Sequence, residues 1–403
     1  MITTILLVSL LASAVPPDPF SVPDCADGLP SDASPVCRVP DRLTSADVLT
    51  LLEGKTERAD LTDGVLLLAA RSEDEEVRFC CSIQTPLTPR GDGLFADRFR
   101  LHRGEEAVID VVLPSTGEYV VLRGPEARVP PGEDMDEDDV LGTLTEGVLD
   151  SQALGERRRY VLYTPPGFDP ERAYPVLVLA DGDVLSDLAP RFERMVAKGT
   201  VLPFVAIGVP SGHGAIVTDD GPATSDAYAY DVRMADYLAG WITAGDPGAA
   251  RFGQHLRFVS DELLPHALTK AELSRPGRVV VAGWSNGGAF AASAALSRPD
   301  VFDAAVPLSE AGRGVTADGP PPPPSAAVPA FLFSVGLYEG PFRLTSSASA
   351  AALADAGYPA RHCAYAGGHD YSHWTLALTD ALAVLFAEEA RPTSLPPCPG
   401  PAE

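Results

Sequence analysis

Positive charge is scarce in this chain. Its 403 residues include 30 lysines and arginines against 56 aspartates and glutamates, so the formal net charge is −26. Nucleic acids and anionic membrane surfaces would repel such a protein, and we expect neither as a partner. Hydrophobic residues make up 45% of the sequence, which is enough for a substantial buried core.

Cysteine is scarce too, and its spacing argues against a metal site. No C-x-x-C motif and no histidine and cysteine cluster at zinc-site spacing occurs, so we predict neither a metal nor a cofactor. The six cysteines are Cys25, Cys37, Cys80, Cys81, Cys363 and Cys398. In an exported chain an even number favours disulfides, although the pairing is open. The first two could close a short loop and the last two could tie the C-terminal segment to the body. Adjacent cysteines on a strand point to opposite faces, so we expect the middle two to have separate roles.

No long hydrophobic run opens the chain. Residues 1–14 form a short apolar run that ends in Ala12-Ser13-Ala14, an A-x-A cleavage signal. The run is too short to span a bilayer. We therefore predict a signal peptide at 1–14 and a periplasmic or secreted protein with no membrane partner in its mature form. An uncleaved anchor is the alternative, because lysine and arginine are missing from the start of the run.

Composition divides the next part of the chain. Residues 15–40 are a proline-rich leader, and residues 41–128 contain short apolar or alternating runs between turns. This pattern predicts a short helix at 43–53 followed by a small, antiparallel, β-sandwich-like domain. Its predicted strands are 65–70, 77–83, 107–113 and 119–122. Residues 129–139 include six carboxylates in seven positions, which indicates a solvated linker. A calcium site is the alternative, but the spacing fits no EF-hand loop.

From 140 to 390 strand-like and helical segments alternate. This alternation predicts an α/β fold with a mostly parallel central sheet covered on both faces, and a proline-rich tail at 391–403 follows. The predicted strands are 159–164, 175–180, 204–209, 278–282, 304–308 and 330–335. The predicted helices are 188–199, 258–268, 345–356 and 374–389.

One short motif indicates chemistry. Gly283-Trp284-Ser285-Asn286-Gly287 lies between a β-branched run and an alanine-rich, helix-forming segment. Strand, tight turn and helix are the setting of a nucleophile elbow, in which Gly283 and Gly287 leave room for a strained serine. We therefore predict Ser285 as a nucleophile, against a purely structural Gly-Ser turn.

A serine nucleophile needs a base and an acid that orients the base. His369 follows two glycines, which would let its loop approach the elbow, and Glu339 follows the strand at 330–335. The order Ser285, Glu339, His369 is that of an α/β-hydrolase triad. The rival histidine is His213, whereas His373 is expected at a helix start. The rival acids are Glu310, after another strand, and Asp370, beside the histidine.

Backbone donors should complete the site. The N–H of Asn286, directly after the nucleophile, is one predicted half of an oxyanion hole. The other half is predicted at Gly182 and Asp183, which follow the strand at 175–180, because reacting groups collect at the carboxyl ends of parallel strands.

The sequence resembles the Putative esterase family, which includes enterochelin esterases, feruloyl esterases, S-formylglutathione hydrolase and mycolyltransferases. The resemblance covers about residues 140–390, and an N-terminal β domain before the catalytic domain is similar to enterochelin-esterase-like proteins. The segments that carry this resemblance are 158–168, 174–182, 261–265, 282–288, 298–302 and 367–370 with Trp374. In addition, Arg233-Met234-Ala235-Asp236-Tyr237 is similar to the family's Arg-x-x-Glu-Tyr segment.

The resemblance implies an α/β-hydrolase fold and a serine carboxylic-ester hydrolase that acts on a small-molecule ester through an acyl-enzyme. Ser285 would be the nucleophile, His369 the base and Glu339 the acid, with the oxyanion hole near Gly182 and Asp183. An acyltransferase with the same triad and a non-catalytic binding protein on an esterase fold are the alternatives.

Overall fold

A computed structural model describes residues 18–26, 28, 30–135, 140–212, 215–218, 221–222, 226–239, 250–274, 276–316, 319–324, 327–387 and 395–398. The predicted signal peptide, residues 136–139 of the acidic stretch, His213 and most of the predicted tail lie outside these ranges. Within them, no helix is both long and apolar enough to cross a membrane.

The N-terminal part consists of one helix and two antiparallel sheets. Its elements are β1 (Val36–Arg38), α1 (Ser45–Leu52), β2 (Glu57–Thr62), β3 (Val65–Arg71), β4 (Cys80–Cys81), β5 (Pro89–Gly91), β6 (Leu94–Leu101), β7 (Val108–Val112) and β8 (Tyr119–Arg123). One sheet has the order β1-β6-β3-β2 with β5 beside β6, and the other has the order β4-β7-β8. At the β2–β3 hairpin, Asp63 and Gly64 both have positive φ, as a tight two-residue turn requires.

The two N-terminal sheets share one apolar core, which confirms the predicted sandwich-like arrangement. Phe99 from the first sheet and Ile109 from the second are both fully buried in it. Leu337, Tyr338 and Ala366, which come from the C-terminal part of the chain, belong to the same cluster. The N-terminal unit therefore packs on the rest of the protein through a continuous apolar core.

Two expectations for this part are wrong. The strand predicted at 77–83 is reduced to Cys80–Cys81. Val77 is buried, but its backbone carbonyl oxygen accepts from the N–H of Leu87 and is not part of a sheet ladder. The alternating apolar residues in this segment are therefore buried without forming a strand. The expected separate roles of the two cysteines are also wrong, since a disulfide joins them. The side-chain alternation of an extended strand does not apply to this short segment.

The remaining disulfides agree with the sequence. Cys25 is joined to Cys37, and Cys363 is joined to Cys398. The first pair closes the expected short loop, and the second ties the C-terminal segment to the body as expected.

The C-terminal part is built on one large mixed sheet. Its strands are β9 (Thr143–Ser151), β10 (Glu156–Thr164), β11 (Tyr174–Ala180), β12 (Val205–Val209), β13 (Ile216–Thr218), β14 (Gly221–Pro222), β15 (Pro276–Trp284), β16 (Ala304–Leu308), β17 (Ala330–Gly336) and β18 (Ala360–Tyr365). The order is β14-β13-β10-β12-β11-β15-β16-β17-β18, with β9 on β10. The run from β12 to β18 is parallel. The pairings of β9, β10, β13 and β14 are antiparallel.

Helices cover both faces of this sheet. They are α2 (Leu185–Ala197), α3 (Asp226–Tyr237), α4 (Arg251–Arg257), α5 (Leu264–Lys270), α6 (Asn286–Ser297), α7 (Pro341–Ala356) and α8 (Tyr371–Leu385), and a π-helical segment, Phe258–Leu263, joins α4 to α5. Every residue of β11 is buried, as expected for a strand covered on both sides. One apolar cluster contains residues of α4 to α7, and the other contains residues of α2 and α8.

The helix after the predicted elbow is anchored by an aromatic cluster. Phe290 of α6 is 1% exposed, and its ring lies 5.3 Å from Tyr237, 5.1 Å from His255 and 6.1 Å from Phe252, between centroids. A smaller side chain at this position would leave a cavity that the surrounding rings cannot fill.

We therefore expect Phe290→Ala to lower the free energy of unfolding by about 3–5 kcal/mol. Denaturant unfolding followed by circular dichroism measures this change. Leu344→Ala is the control, because Leu344 lies on α7 and is 66% exposed. A loss of less than about 1 kcal/mol for Phe290→Ala would show that the cluster does not stabilise α6.

A buried carboxyl group lies after β16. Glu310 is fully buried, and neither of its oxygens has a hydrogen-bond partner among the residues described. Burial raises the pKa of Glu310 to about 8, and the nearby Ser349 hydroxyl and Val315 N–H oppose this shift only in part. The unfolded chain releases this proton at lower pH than the folded protein does. The contribution of Glu310 to stability therefore falls as the pH rises from about 4.5 to 8.

Glu310→Gln should remove this pH dependence, because glutamine stays neutral. When the pH is raised from 5 to 8, we expect the wild type to lose about 3 kcal/mol more of its free energy of unfolding than the variant loses. Unfolding curves of both proteins at the two pH values test this. If the free energy of unfolding changed with pH by the same amount in both proteins, the buried, protonated state of Glu310 would be contradicted.

Candidate active site

Ser285 lies in a strained turn between β15 and α6. Its backbone has φ 55° and ψ −120°, a conformation that few non-glycine residues adopt. A Cβ on Gly283 would lie 2.5 Å from the carbonyl oxygen of Gly287, and one on Gly288 would lie 2.6 Å from that of Leu308. Only glycine fits these positions without a shift of the backbone, so the turn has the geometry of a nucleophile elbow.

Hydrogen bonds on both sides hold this serine. Its N–H donates to the carbonyl oxygen of Leu308 at 2.9 Å. Its own carbonyl oxygen accepts from the N–H groups of Ala289 and Ala311, both at 3.1 Å. The turn is therefore attached to α6, to the end of β16 and to the segment that follows β16.

The predicted oxyanion region lies next to the elbow. β11 pairs with β15, so Gly182 follows the strand adjacent to the one that Ser285 follows. A Cβ on Gly182 would lie 2.1 Å from Cα of Gly208, and one on Gly287 would lie 2.9 Å from Oδ2 of Asp181. Asp183 belongs to the same 3₁₀ turn, Gly182–Val184. Asn286 is the first residue of α6, where an α-helix has no intrahelical acceptor for its N–H.

An ion pair that was not predicted as part of the site holds this strand end. Arg233 donates from Nε and Nη2 to the two carboxylate oxygens of Asp181, at 2.8 and 2.6 Å. Ser211 Oγ donates to the same carboxylate. Arg233 Nη2 also lies 3.4 Å from the carbonyl oxygen of Trp284, directly before Ser285. The arginine was visible in the sequence only as part of the Arg-x-x-Asp-Tyr segment.

The predicted base and acid form a close pair. His369 Nδ1 lies 2.5 Å from Oε2 of Glu339, whose side chain is fully buried. The other carboxylate oxygen of Glu339 accepts from Ser309 Oγ at 2.6 Å and from the N–H of Gly336. Two further donors therefore fix the Glu339 carboxylate while it faces His369.

Two aromatic rings hold the imidazole. The ring of Phe342 stacks on His369 with centroids 3.9 Å apart, and the ring of Trp374 meets it edge to face at 4.8 Å. Trp374 in turn stacks on Trp284 at 5.8 Å, and Trp284 directly precedes Ser285. Residues 366–373, called the histidine loop below, thus lie at the same sheet edge as the elbow.

Ser309 is a site residue that sequence reasoning missed. Its hydroxyl donates to Glu339 Oε1 and accepts from Trp374 Nε1 at 2.7 Å. It lies between Leu308 and Ala311, both of which bond to the backbone of Ser285. Its position directly after the strand at 304–308 was the available signal, because polar groups at strand ends meet at one edge.

The rival residues have other surroundings. His373 is the third residue of α8, as expected, and burial lowers the pKa of this imidazole. Asp370 caps the same helix, with Oδ1 accepting from the N–H of His373 at 2.9 Å. Glu310 is close to Ser349 and Val315. His213 is not among the described residues.

A cavity of about 590 Å³ runs along one side of α6. Its lining includes Ser297 and also Ala289 and Ala311, the two residues that bond to the Ser285 carbonyl. Apolar side chains such as Leu238 and Phe252 form much of its wall. It is large enough for a small organic ligand.

Comparison with known proteins supports the sequence resemblance. Residues 151–312 match the model of the family described as Putative esterase, a segment that contains the elbow and the predicted oxyanion region. No match is found among curated proteins.

Solved structures extend the similarity to the fold. The enterobactin esterase from Shigella flexneri, solved in the presence of enterobactin, is 16% identical with a TM-score of 0.56, over 84% of this chain and 97% of that one. The ferric enterobactin esterase from Salmonella typhimurium is 18% identical with a TM-score of 0.52, over 83% of this chain and 98% of that one. A ferulic acid esterase is 18% identical with a TM-score of 0.44, over 62% and 98%.

The TM-scores and coverage of the two enterobactin esterases show a shared fold. The alignments to the two enterobactin esterases reach beyond the predicted catalytic region, so the fold similarity includes part of the N-terminal unit. The resemblance predicted from the sequence is thereby confirmed: the chain matches the Putative esterase family at residues 151–312 and has an α/β-hydrolase-like fold with a sheet-rich N-terminal region.

Proposed function

We propose that this protein is a serine carboxylic-ester hydrolase that works through an acyl-enzyme on Ser285. The observation that carries the proposal is the strained elbow at Ser285 beside a histidine–carboxylate pair at the same sheet edge. A serine hydroxyl is a weak nucleophile at neutral pH and needs such a base. The esterase family match supports hydrolysis as the reaction class.

Each group has a definite role in the proposed reaction. Ser285 Oγ attacks the ester carbonyl while His369 Nε2 takes the serine proton. Glu339 accepts the Nδ1–H of His369, which fixes the tautomer and stabilises the imidazolium that forms. The imidazolium then protonates the departing alcohol. Water attacks the acyl-enzyme by the same route and releases the acid.

Backbone N–H groups stabilise the charge that develops on the carbonyl oxygen. Asn286 provides one donor from the start of α6, where the helix dipole also favours negative charge. Gly182 and Asp183 provide the second from the turn after β11. In this proposal the bidentate bond from Arg233 to Asp181 keeps that turn in place.

The substrate is an ester small enough to reach the edge of the sheet. We propose that its acyl group enters the cavity beside α6, because two of the residues that line the cavity are hydrogen-bonded to the backbone of Ser285. The neighbours' names suggest two substrates for a panel, enterobactin and ferulate esters. The net charge of −26 disfavours a strongly anionic substrate such as a ferric siderophore.

Export is part of the proposal. The disulfides of Cys25–Cys37 and Cys363–Cys398 are typical of oxidising compartments. Together with the predicted signal peptide they favour a periplasmic or secreted enzyme.

Ser285→Ala should abolish ester hydrolysis without loss of folding. We expect kcat for p-nitrophenyl butyrate to fall by about 10⁴-fold or more, and a similar loss for His369→Ala, because these two groups act as one unit. Thermal unfolding serves as the folding control. Mass spectrometry after rapid quenching should find the acyl adduct on Ser285. Activity retained in Ser285→Ala would refute the proposal, and preferential transfer to an added alcohol would indicate an acyltransferase.

Glu339→Gln tests the acid. We expect kcat to fall by about 10²- to 10⁴-fold with a small change in KM, because glutamine cannot stabilise the imidazolium. Glu310→Gln is the matched control, since it replaces another buried glutamate side chain after a neighbouring strand. Its kcat at pH 7 should stay within about twofold of the wild type. Near-normal kcat in Glu339→Gln would mean a Ser-His dyad or a different acid.

A further inference from the structure

The N-terminal unit contacts the histidine loop directly. Val108 of β7 pairs with Gly367 as an isolated parallel bridge, and its N–H donates to the carbonyl oxygen of the preceding loop residue at 2.9 Å. A Cβ on Gly368 would lie 2.4 Å from Cα of Ser82. The backbone of the N-terminal unit is therefore in direct contact with the backbone of the histidine loop at these points.

Two buried carboxylates, one from each unit, bind the loop backbone. Asp370 Oδ2 accepts from the N–H of Gly368 at 2.9 Å, and its Oδ1 accepts from the N–H of His373. Asp110 of β7 accepts from the N–H of Ser372 at 2.8 Å. Asp110 is 1% exposed and Asp370 is 3% exposed. Together Asp110 and Asp370 fix the backbone on both sides of His369.

Further groups from the N-terminal unit fix this carboxylate pair. Ser82 Oγ lies 2.8 Å from the Asp110 carbonyl oxygen and 3.3 Å from Asp370 Oδ2, and the hydroxyl of Tyr119 donates to the Asp110 carboxylate. Burial raises the pKa of Asp370 well above its usual range, and the neighbouring Asp110 carboxylate adds to this shift. Two like charges in one buried site are costly, so the pair is most stable when it holds one proton.

We infer that Asp110 is a positioning residue for His369: the N-terminal unit supplies it to hold the histidine loop in the geometry that catalysis needs. This inference rests on the proposed function. Gly367 and Gly368 leave the loop free to approach the elbow, but they also leave its conformation unspecified. The contacts from Asp110 and Ser82 supply the constraint that the glycines lack.

The alternative is that these contacts only join two packed units. The two cases differ in what a substitution does. Loss of packing lowers stability without a selective effect on the chemical step. Loss of positioning lowers kcat while substrate binding is kept, because a displacement of about 1 Å at a catalytic group can cost about 10²-fold.

Asp110→Ala is the test. We expect kcat for p-nitrophenyl butyrate to fall by about 30- to 100-fold with KM within about twofold, and Asp110→Asn to recover kcat to within about threefold of the wild type. Asparagine keeps an oxygen acceptor for the Ser372 N–H, and alanine does not. Equal kcat values for Asp110→Ala and the wild type would overturn the inference.

Arg128→Ala is the matched control. Arg128 makes a bidentate ion pair with Asp380 of α8, at 2.7 and 2.8 Å, and so joins the segment after β8 to the catalytic part through a residue outside the histidine loop. Its kcat should stay within about twofold of the wild type. A loss of kcat equal to that of Asp110→Ala would show that general packing is responsible, and would overturn the inference.

Hydrogen exchange gives a readout that does not depend on activity. The amide of Ser372 should exchange at least about 10-fold faster in Asp110→Ala than in the wild type, while Arg128→Ala leaves it unchanged. Unchanged protection in Asp110→Ala would overturn the inference. If the wild type hydrolysed no ester, the proposed function would fail, and the exchange data would still decide whether Asp110 holds the loop.

Ser82→Ala is the second variant, should Asp110→Ala not fold. It removes the hydroxyl that bonds to the backbone carbonyl oxygen of Asp110 and to the Asp370 carboxyl group, and it leaves both acidic side chains in place. We expect kcat to fall by about 3- to 10-fold with KM unchanged. An unaltered kcat in this variant would count against the inference.

Discussion

The arrangement of the candidate site depends on the backbone of Ser285, which is held at positive φ by hydrogen bonds from two directions. A conformation of this kind costs of order 1–3 kcal/mol, and it persists only where the surroundings determine it. Here α6 contributes one bond through Ala289, and the end of β16 with the residues directly after it contributes the others through Leu308 and Ala311. The same segment carries Ser309, which bonds to the acid of the proposed triad. The strain at the serine and the position of the acid are therefore set by the same few residues.

Much of this arrangement could be predicted from the sequence. The elbow was predictable because its steric requirements are local: the glycines around Ser285 and the adjacent strand and helix are contiguous in the chain. The pairing of His369 with Glu339 followed from chain order and from strand ends that meet at one edge, and the structure places the two side chains in contact. The mostly parallel sheet followed from the alternation of strands and helices after residue 140, which constrains topology strongly.

The features that were missed depend on contacts between distant parts of the chain. Nothing near Arg233 in sequence shows that it binds Asp181, and Asp110 lies 260 residues before Asp370. The strand predicted at 77–83 failed because burial alone does not reveal backbone pairing. Strands β2 and β6 were missed because their charged residues, such as Asp60 and Arg98, obscure the apolar alternation. A pattern within one segment cannot report on a partner that comes from another segment.

The disulfide between Cys363 and Cys398 has a consequence for the outer edge of the large sheet. β18 pairs with β17 on one side and is the last strand in the order, so its other side is a sheet edge. The C-terminal residues cover this region: Leu395 is buried in a core cluster, its carbonyl oxygen accepts from Arg361 of β18, and Cys398 is covalently bound to the strand. An uncovered edge strand invites intermolecular pairing and aggregation. The disulfide at Cys398 thus keeps the edge strand covered and opposes self-association, and it does so only in an environment that keeps the disulfide oxidised.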